Sequence, residues 1–418
     1  MKLLKFFFCP ASDYLNQYNE TGSHGQISYQ FLKHLAVRSE VESIFAATIM
    51  SLKVAPISKT TLYSLIKNLN KNSLSPFDSL RFYLESYIRF INSKEYKEAS
   101  IIHHIIPFSF GRSFNLFFIF KNRTKKYIIG PIIGPHSSTD AILDEEYVFH
   151  NKLKFVDKLK KGSINIIKNI SILIFNRPLK YLSYKTLQSA DIVLFSDNHS
   201  RDYHKKFMRN EQKALLLDTG INTNIFKPNE SNNFYKENDL LTILFVGRLT
   251  KRKGCEYLIK AISEVLKIKP GLKLRCIISG IGPLQGDLES LTDKLNLKNY
   301  VIFLGGVKSN EELISRYHQA DILCLPALSE TFTVTKEALC SGIPVIVTDI
   351  CSNAERIKEG INGFIVPPKN SSAIAKVILK LANNKKLLKK LSSNAVKSAP
   401  LYNWNNIIET YITYLKNL

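Results

Sequence analysis

Leu241-Thr242-Ile243-Leu244-Phe245-Val246-Gly247-Arg248-Leu249-Thr250-Lys251-Arg252-Lys253-Gly254 runs from a nearly unbroken apolar segment into a glycine and a cluster of cations. An apolar run of strand length without alternation suits a parallel sheet covered on both faces. Gly247 closes that strand, and the chain beyond Gly254 opens a helix. Such a turn lets a phosphate approach the backbone. The helix start offers free N–H groups, and Arg248 and Lys253 add charge. A merely solvated basic loop is the competing reading.

Working outward, the same rhythm recurs. Residues 273–279, 301–304, 321–325, 344–348 and 363–366 read as further strands, and Ser309-x-x-Glu312 is a capping box opening a helix over 311–319. Upstream, residues 2–8, 43–49, 101–106, 127–133, 191–196 and 214–217 are strand-like. A helix over 26–37 places Ile27, Phe31 and Leu35 on one face. The polar stretch 227–239 (KPNESNNFYKEND) has no apolar period and reads as a linker. A chain of 418 residues exceeds one ordinary core. The expectation is therefore α/β architecture: two doubly wound, Rossmann-like domains in tandem, over 1–236 and 237–399.

Composition removes several classes. With 45% apolar and 22% charged residues, wholesale disorder is excluded. No uncharged apolar stretch reaches the ~18 residues of a membrane span, and the run 3–9 is too short for a secretory leader. Cys9, Cys255, Cys276, Cys324, Cys340 and Cys351 show no paired spacing, which fits buried thiols in a reducing cytosol and neither a disulfide frame nor a zinc site. Lys and Arg number 58 against 35 Asp and Glu, a net charge of +23. That field favours polyanions, anionic membrane or phosphorylated small molecules without choosing among them. Nothing resembling a zinc finger, an RNP-type strand or a helix-turn-helix supports a nucleic-acid partner.

Two further motifs sit at strand ends. Ser279-Gly280-Ile281-Gly282-Pro283 falls short of a dinucleotide fingerprint: position 285 is Gln, and the next strand ends in Gly305-Gly306 with no acid for a ribose. A tight turn is the better reading. The segment Ser329-Glu330-Thr331-Phe332-Thr333-Val334-Thr335-Lys336-Glu337, continuing to Pro344, places two carboxylates around a turn that enters a helix. Carboxylates at the carboxyl ends of such strands can hold sugar or ribose hydroxyls; a helix cap and an exposed helical residue are the alternative.

Together these residues resemble the retaining glycosyltransferases of family 4 (glycosyl transferases group 1), which have the GT-B fold. The likeness is dense over 241–368, ending in Ser352-Asn353-Ala354-Glu355 and Asn362-Gly363-Phe364-Ile365-Val366-Pro367-Pro368. It is looser in His103-His104, Gly130-Pro131-Ile132-Ile133-Gly134, Ala190-Asp191 and Gly220-Ile221-Asn222. The resemblance implies two Rossmann-like domains facing a central cleft, with the donor domain at 237–399 and a C-terminal helix, 400–418 with Trp404, returning to the first domain. It implies donor binding by Gly247, Arg248, Lys253, Gly282, Val307, Phe332, Thr333 and Glu337, with Arg248 and Lys253 on the diphosphate in place of a metal and Glu337 on the ribose. Glu330 and His136 would meet the transferred sugar. Gly22 and Gly25, ahead of the 26–37 helix, would let backbone approach phosphate and acceptor.

Two departures stand out. The family pattern is E-x(7)-E, whereas six residues separate Glu330 from Glu337, and the usual Phe-Gly is Phe332-Thr333. One missing residue rotates a helix by about 100° unless its start shifts. The implied activity is transfer of a sugar, with retention, from a nucleotide-sugar donor to a glycan or lipid-linked acceptor in polysaccharide or lipopolysaccharide assembly. It would need no cofactor or metal and would take place in the cytoplasm. A non-catalytic nucleotide-sugar-binding protein on the same scaffold is the alternative. Residues 152–175, with Lys152, Lys154, Lys158, Lys160, Lys161 and Lys168 among apolar residues, suit either an anionic membrane surface or a sheet-covering helix.

Overall fold

A computed structural model describes residues 3–16, 23–52, 54–66, 76–105, 113–132, 178–229, 240–307, 309–328, 332–350 and 353–417. These fall into two compact units. One takes the described residues up to Ile132, those from 178 to Gly220 and the last helix from Trp404; the other runs from Ile221 to Asn403.

The first unit is a parallel sheet of seven strands: β1 (Leu4–Asn16), β2 (Val41–Leu52), β3 (Thr60–Ile66), β4 (Ile101–His104), β5 (Lys126–Ile132), β6 (Ile192–Phe195) and β7 (Lys213–Leu216), in the order β3-β2-β1-β4-β5-β6-β7. The second holds six: β8 (Leu241–Val246), β9 (Leu274–Ser279), β10 (Val301–Gly305), β11 (Ile322–Leu325), β12 (Val345–Thr348) and β13 (Gly363–Val366), ordered β10-β9-β8-β11-β12-β13. All pairings are parallel. Strand order reverses direction beside β1 and again beside β8, so each unit is doubly wound with one switch point. The α/β reading of the sequence therefore holds.

Strand bounds differ from the sequence expectation where pairing outruns hydrophobicity. β1 continues to Asn16 because β2 stays beside it, with Ser12 opposite Thr48 and Thr48 Oγ1 donating to the Ser12 carbonyl at 2.7 Å. β3 has no counterpart in that expectation. It is a half-exposed edge strand paired only with β2, so no continuous apolar run marks it. The helix expected at 26 starts at Ser23, which puts Gly25 inside its first turn and buried, not in a loop ahead of it. Gly22, His136, Glu330, Cys351 and the segment 152–175 lie outside the described residues. The described cysteines are free and buried, and burial pushes the Cys276 thiol up to about 12.

In the first unit the helix Trp404–Lys416 lies against Ser23–Ala36, where Phe31 meets Trp404 and Tyr411 edge-on at 6.4 and 5.1 Å. His103 on β4 is fully buried. Its Nε2 donates to the Gly130 carbonyl at 2.7 Å, which leaves Nδ1 to accept from Tyr411 Oη at 2.8 Å. Burial lowers its pKa to about 3, so the ring is neutral at any ordinary pH. Tyr411→Phe should therefore cost about 1–2 kcal/mol of stability, read from denaturant midpoints, by orphaning Nδ1. An unchanged midpoint would show that the bond carries no net stability.

The units divide at Gly220/Ile221 and Asn403/Trp404, whereas the sequence reading placed the breaks after 236 and 399. The reason is local packing. The Ile221 N–H donates to the Tyr402 carbonyl at 2.7 Å, Phe226 lies edge-on to Tyr317, and His318 Nε2 donates to the Lys227 carbonyl at 2.9 Å.

Each sheet also carries one aspartate at the head of a strand that fixes its neighbour. Asp191 Oδ2 accepts from the Tyr127 N–H at 2.9 Å, and Asp321 Oδ2 from the Thr242 N–H at 2.7 Å. The Ala-Asp pairs legible in the sequence are thus sheet-registering groups.

Candidate functional site

The carboxyl ends of β8 and β11 flank the switch point of the second unit, where doubly wound sheets bind ligands. Leu249 anchors the loop after β8. It is fully buried, its N–H donates to the Ile281 carbonyl at 3.0 Å, and its own carbonyl accepts from the Leu284 N–H at 3.1 Å. Next to this buried residue Arg248 is exposed. Lys251–Lys253 form a single 3-10 turn that ends at Gly254, with φ of 63°. A Cβ there would lie 2.0 Å from the Pro326 carbonyl oxygen, so only glycine lets this turn press on the loop after β11. The two loops are also bonded, the Leu328 N–H donating to the Arg252 carbonyl at 2.7 Å.

The helix Cys255–Ile268 follows directly, and Gly254 supplies no side-chain cap to its first turn. Lys253 is half-buried; its Cγ and Cδ lie 3.8 Å from where a Gly247 Cβ would stand. Arg248, Lys253 and the start of this helix therefore share the carboxyl end of β8. Gly280 and Gly282 have a different explanation. A Cβ at either would fall 1.8 Å from the Gly247 carbonyl oxygen or 2.4 Å from that of Leu249. Backbone contact accounts for both, as the tight-turn reading holds.

Beyond β11 the helix Phe332–Cys340 begins at Phe332, so Phe332 and Thr333 open its first turn. Glu337 lies one turn on and is 7% exposed. Tyr317, from the helix Asn310–His318, donates its O–H to Glu337 Oε2 at 2.8 Å. Burial raises the Glu337 pKa to about 7, against the Tyr317 hydrogen bond and the neighbouring charge of Lys336, which pull it down. A carboxyl poised there is able to exchange a proton when a ligand arrives. Val307, after β10, is 37% exposed. Tyr317 was not legible as a site residue, since an aromatic at helical spacing from Leu313 reads as core. Among the described residues no three His, Cys, Asp or Glu side chains cluster as a metal site.

Two doubly wound parallel-sheet units of this kind define a GT-B fold, and solved structures of that class match it along the whole chain. Sucrose-phosphate synthase from Thermosynechococcus elongatus superposes with a TM-score of 0.67 at 18% identity, over 99% of both chains. HepE of Anabaena, solved in complex with UDP-glucose, gives 0.61 at 14% identity, over 99% of this chain and 100% of that one. Residues 226–398 match the family model described as Glycosyl transferases group 1, so the second unit carries a domain of that family. An uncharacterised glycosyltransferase of Methanocaldococcus jannaschii is 33% identical over 248 residues, covering 57% of this chain and 62% of that protein. The match thus spans less than two thirds of that relative's length.

Proposed function

We propose that the protein is a retaining glycosyltransferase that binds a nucleotide sugar at the carboxyl end of β8 and transfers the sugar to a hydroxyl of a glycan or lipid-linked acceptor. The observation that carries this is the convergence of Arg248, Lys253 and an uncapped helix start on one turn, stitched to the loop that leads to Glu337. The group 1 domain and the UDP-glucose held by HepE support a nucleotide-sugar donor. In this reading Arg248 and Lys253 stabilise the departing diphosphate electrostatically, the largest protein contribution to such a step. Glu337 meets the ribose, Val307 the base, and Glu330 and His136 the sugar. The leaving phosphate assists deprotonation of the acceptor, and no metal is required. Polysaccharide or lipopolysaccharide assembly in the cytoplasm is the proposed setting.

The test is product formation from a panel of nucleotide sugars, with and without chelator. Transfer that survives chelation is expected; transfer abolished by it would overturn the metal-free site. A second reading, donor binding without transfer, is favoured by one observation: Glu337 is buried and engaged by Tyr317 in a motif one residue short. Nucleotide binding without turnover or donor hydrolysis would establish it.

We also propose that residues 152–175 seat the protein on anionic membrane. Among the described residues no helix is long and apolar enough to cross a bilayer. Vesicles containing anionic lipid should co-sediment the protein, and about 0.5 M salt should release it, because the Debye length falls to a few ångströms. Sedimentation indifferent to lipid charge would remove this partner.

A further inference from the structure

The end of β10 is held by a buried cation that the diphosphate site does not use. Arg316, on the helix Asn310–His318, has a side chain only 6% exposed. Its Nη1 donates to Ser279 Oγ at 2.5 Å and to the Gly305 carbonyl at 2.8 Å. Its Nη2 reaches the carbonyls of Leu304 and Gly306 at 3.4 and 3.3 Å and pairs with the Glu312 carboxylate. One guanidinium thus gathers the last residue of β9 and three consecutive carbonyls at the end of β10. The Gly305 carbonyl also accepts from the Gly280 N–H at 2.8 Å. A planar fork of five donors can serve so many acceptors at once, and a lysine ammonium cannot.

What this clamp supports is apolar and open to solvent. Ile281 is 62% exposed and Val307 37% exposed, each just beyond one of the joined strand ends. A Cβ on Gly306 would stand 3.7 Å from the Ile281 side chain, so the two loops lie side by side. Neighbouring strands are spaced about 4.8 Å apart, which sets the end of β10 about 10 Å from the end of β8. That is the reach of a nucleoside from its diphosphate, across one ribose.

We propose that Arg316 is a positioning residue for the donor base: it locks the ends of β9 and β10 into a ledge on which Ile281 and Val307 present apolar surface to the nucleobase. The proposal rests on the donor-binding reading above and adds a residue that acts through the loops without touching the ligand. Outside its own helix, the hydrogen bonds of Arg316 go to Ser279 and the end of β10, while the 247–254 turn meets the same β9 loop through the backbone of Gly247 and Leu249. Loss of the clamp should therefore fall on nucleosides far more than on phosphate recognition.

The experiment is titration calorimetry with UDP, GDP, ADP and inorganic pyrophosphate on wild type, Arg316→Lys and Ile281→Ser. Melting curves would establish that each variant is folded. Arg316→Lys should weaken the preferred nucleoside diphosphate at least about tenfold and narrow the preference among bases, while pyrophosphate affinity stays within about twofold. Ile281→Ser, an exposed change with no core to disturb, should produce the same pattern more mildly and keeps the proposal testable where Arg316→Lys does not fold. Unchanged base preference in folded Arg316→Lys, an equal loss of pyrophosphate, or full nucleoside affinity in Ile281→Ser would overturn the clamp. Failure of wild type to bind any nucleoside diphosphate would instead overturn the donor site itself.

Discussion

Arg248→Ala and Lys253→Ala are each expected to weaken nucleoside diphosphate binding by about 1.5–3 kcal/mol, a loss of roughly 10- to 150-fold, because each removes a charge-assisted hydrogen bond. The loss should appear with inorganic pyrophosphate as well, since these side chains are proposed to meet the phosphates. The double variant should lose less than the sum, because two cations on one anion couple strongly. Transfer should fall further than binding if the contacts tighten as the diphosphate departs. Stability should barely move: Arg248 is exposed and Lys253 only half-buried, while Leu249 and Gly254 hold the turn. Unaltered affinity in both single variants would remove the turn from the donor site and leave its cations as solvated surface.

The fold was legible because its signals are local and redundant. Five apolar residues among the six before Gly247, and Ser309 capping the N–H of Glu312 at 3.2 Å, each fix one element without reference to the rest. What stayed hidden depends on partners distant in sequence. β3 exists because β2 offers it an edge, and the unit boundary follows from Phe226 resting on Tyr317. The candidate site divides in the same way. Arg248 and Lys253 announce themselves by charge beside glycine, whereas Arg316 is one more helical arginine until 37 residues of separation collapse onto Ser279. Gly280 and Gly282 read as a tight turn from spacing alone, but only the fold shows that their missing side chains make room for the Gly247 and Leu249 backbone. Composition shows that a glycine is present; only packing shows what it makes room for.

Glu337→Gln is expected to move stability and nucleotide affinity in opposite directions. An unfolded glutamate titrates near ~4.3, whereas folded Glu337 titrates at about 7 because it is buried. Between those values the folded chain keeps a proton that the unfolded chain has released, so the group lowers stability as pH rises through that window, and the loss is complete above it. The difference amounts to about 4 kcal/mol. Glutamine has no charge to bury, and its amide oxygen can still accept the Tyr317 O–H. The variant should therefore match wild type to within about 1 kcal/mol near pH 4.5 and exceed it by up to about 4 kcal/mol at pH 8, as read from denaturant midpoints. Affinity should run the other way. A carboxylate that accepts ribose hydroxyls must be ionised, so wild-type nucleoside diphosphate binding should strengthen from pH 6 to pH 8, with release of a proton. Glu337→Gln should bind more weakly at pH 8 and lose the dependence on Glu337 ionisation. Tyr317→Phe, which removes the donor that pulls this titration down, should shift the wild-type profile toward higher pH. Higher stability at pH 8 with unchanged affinity would leave Glu337 a buried acid of the helix Phe332–Cys340 and transfer the ribose contact to another group. A variant no more stable than wild type at pH 8 would mean that Glu337 is ionised in the free protein and already neutralised, with Lys336, the adjacent buried cation, the first residue to change.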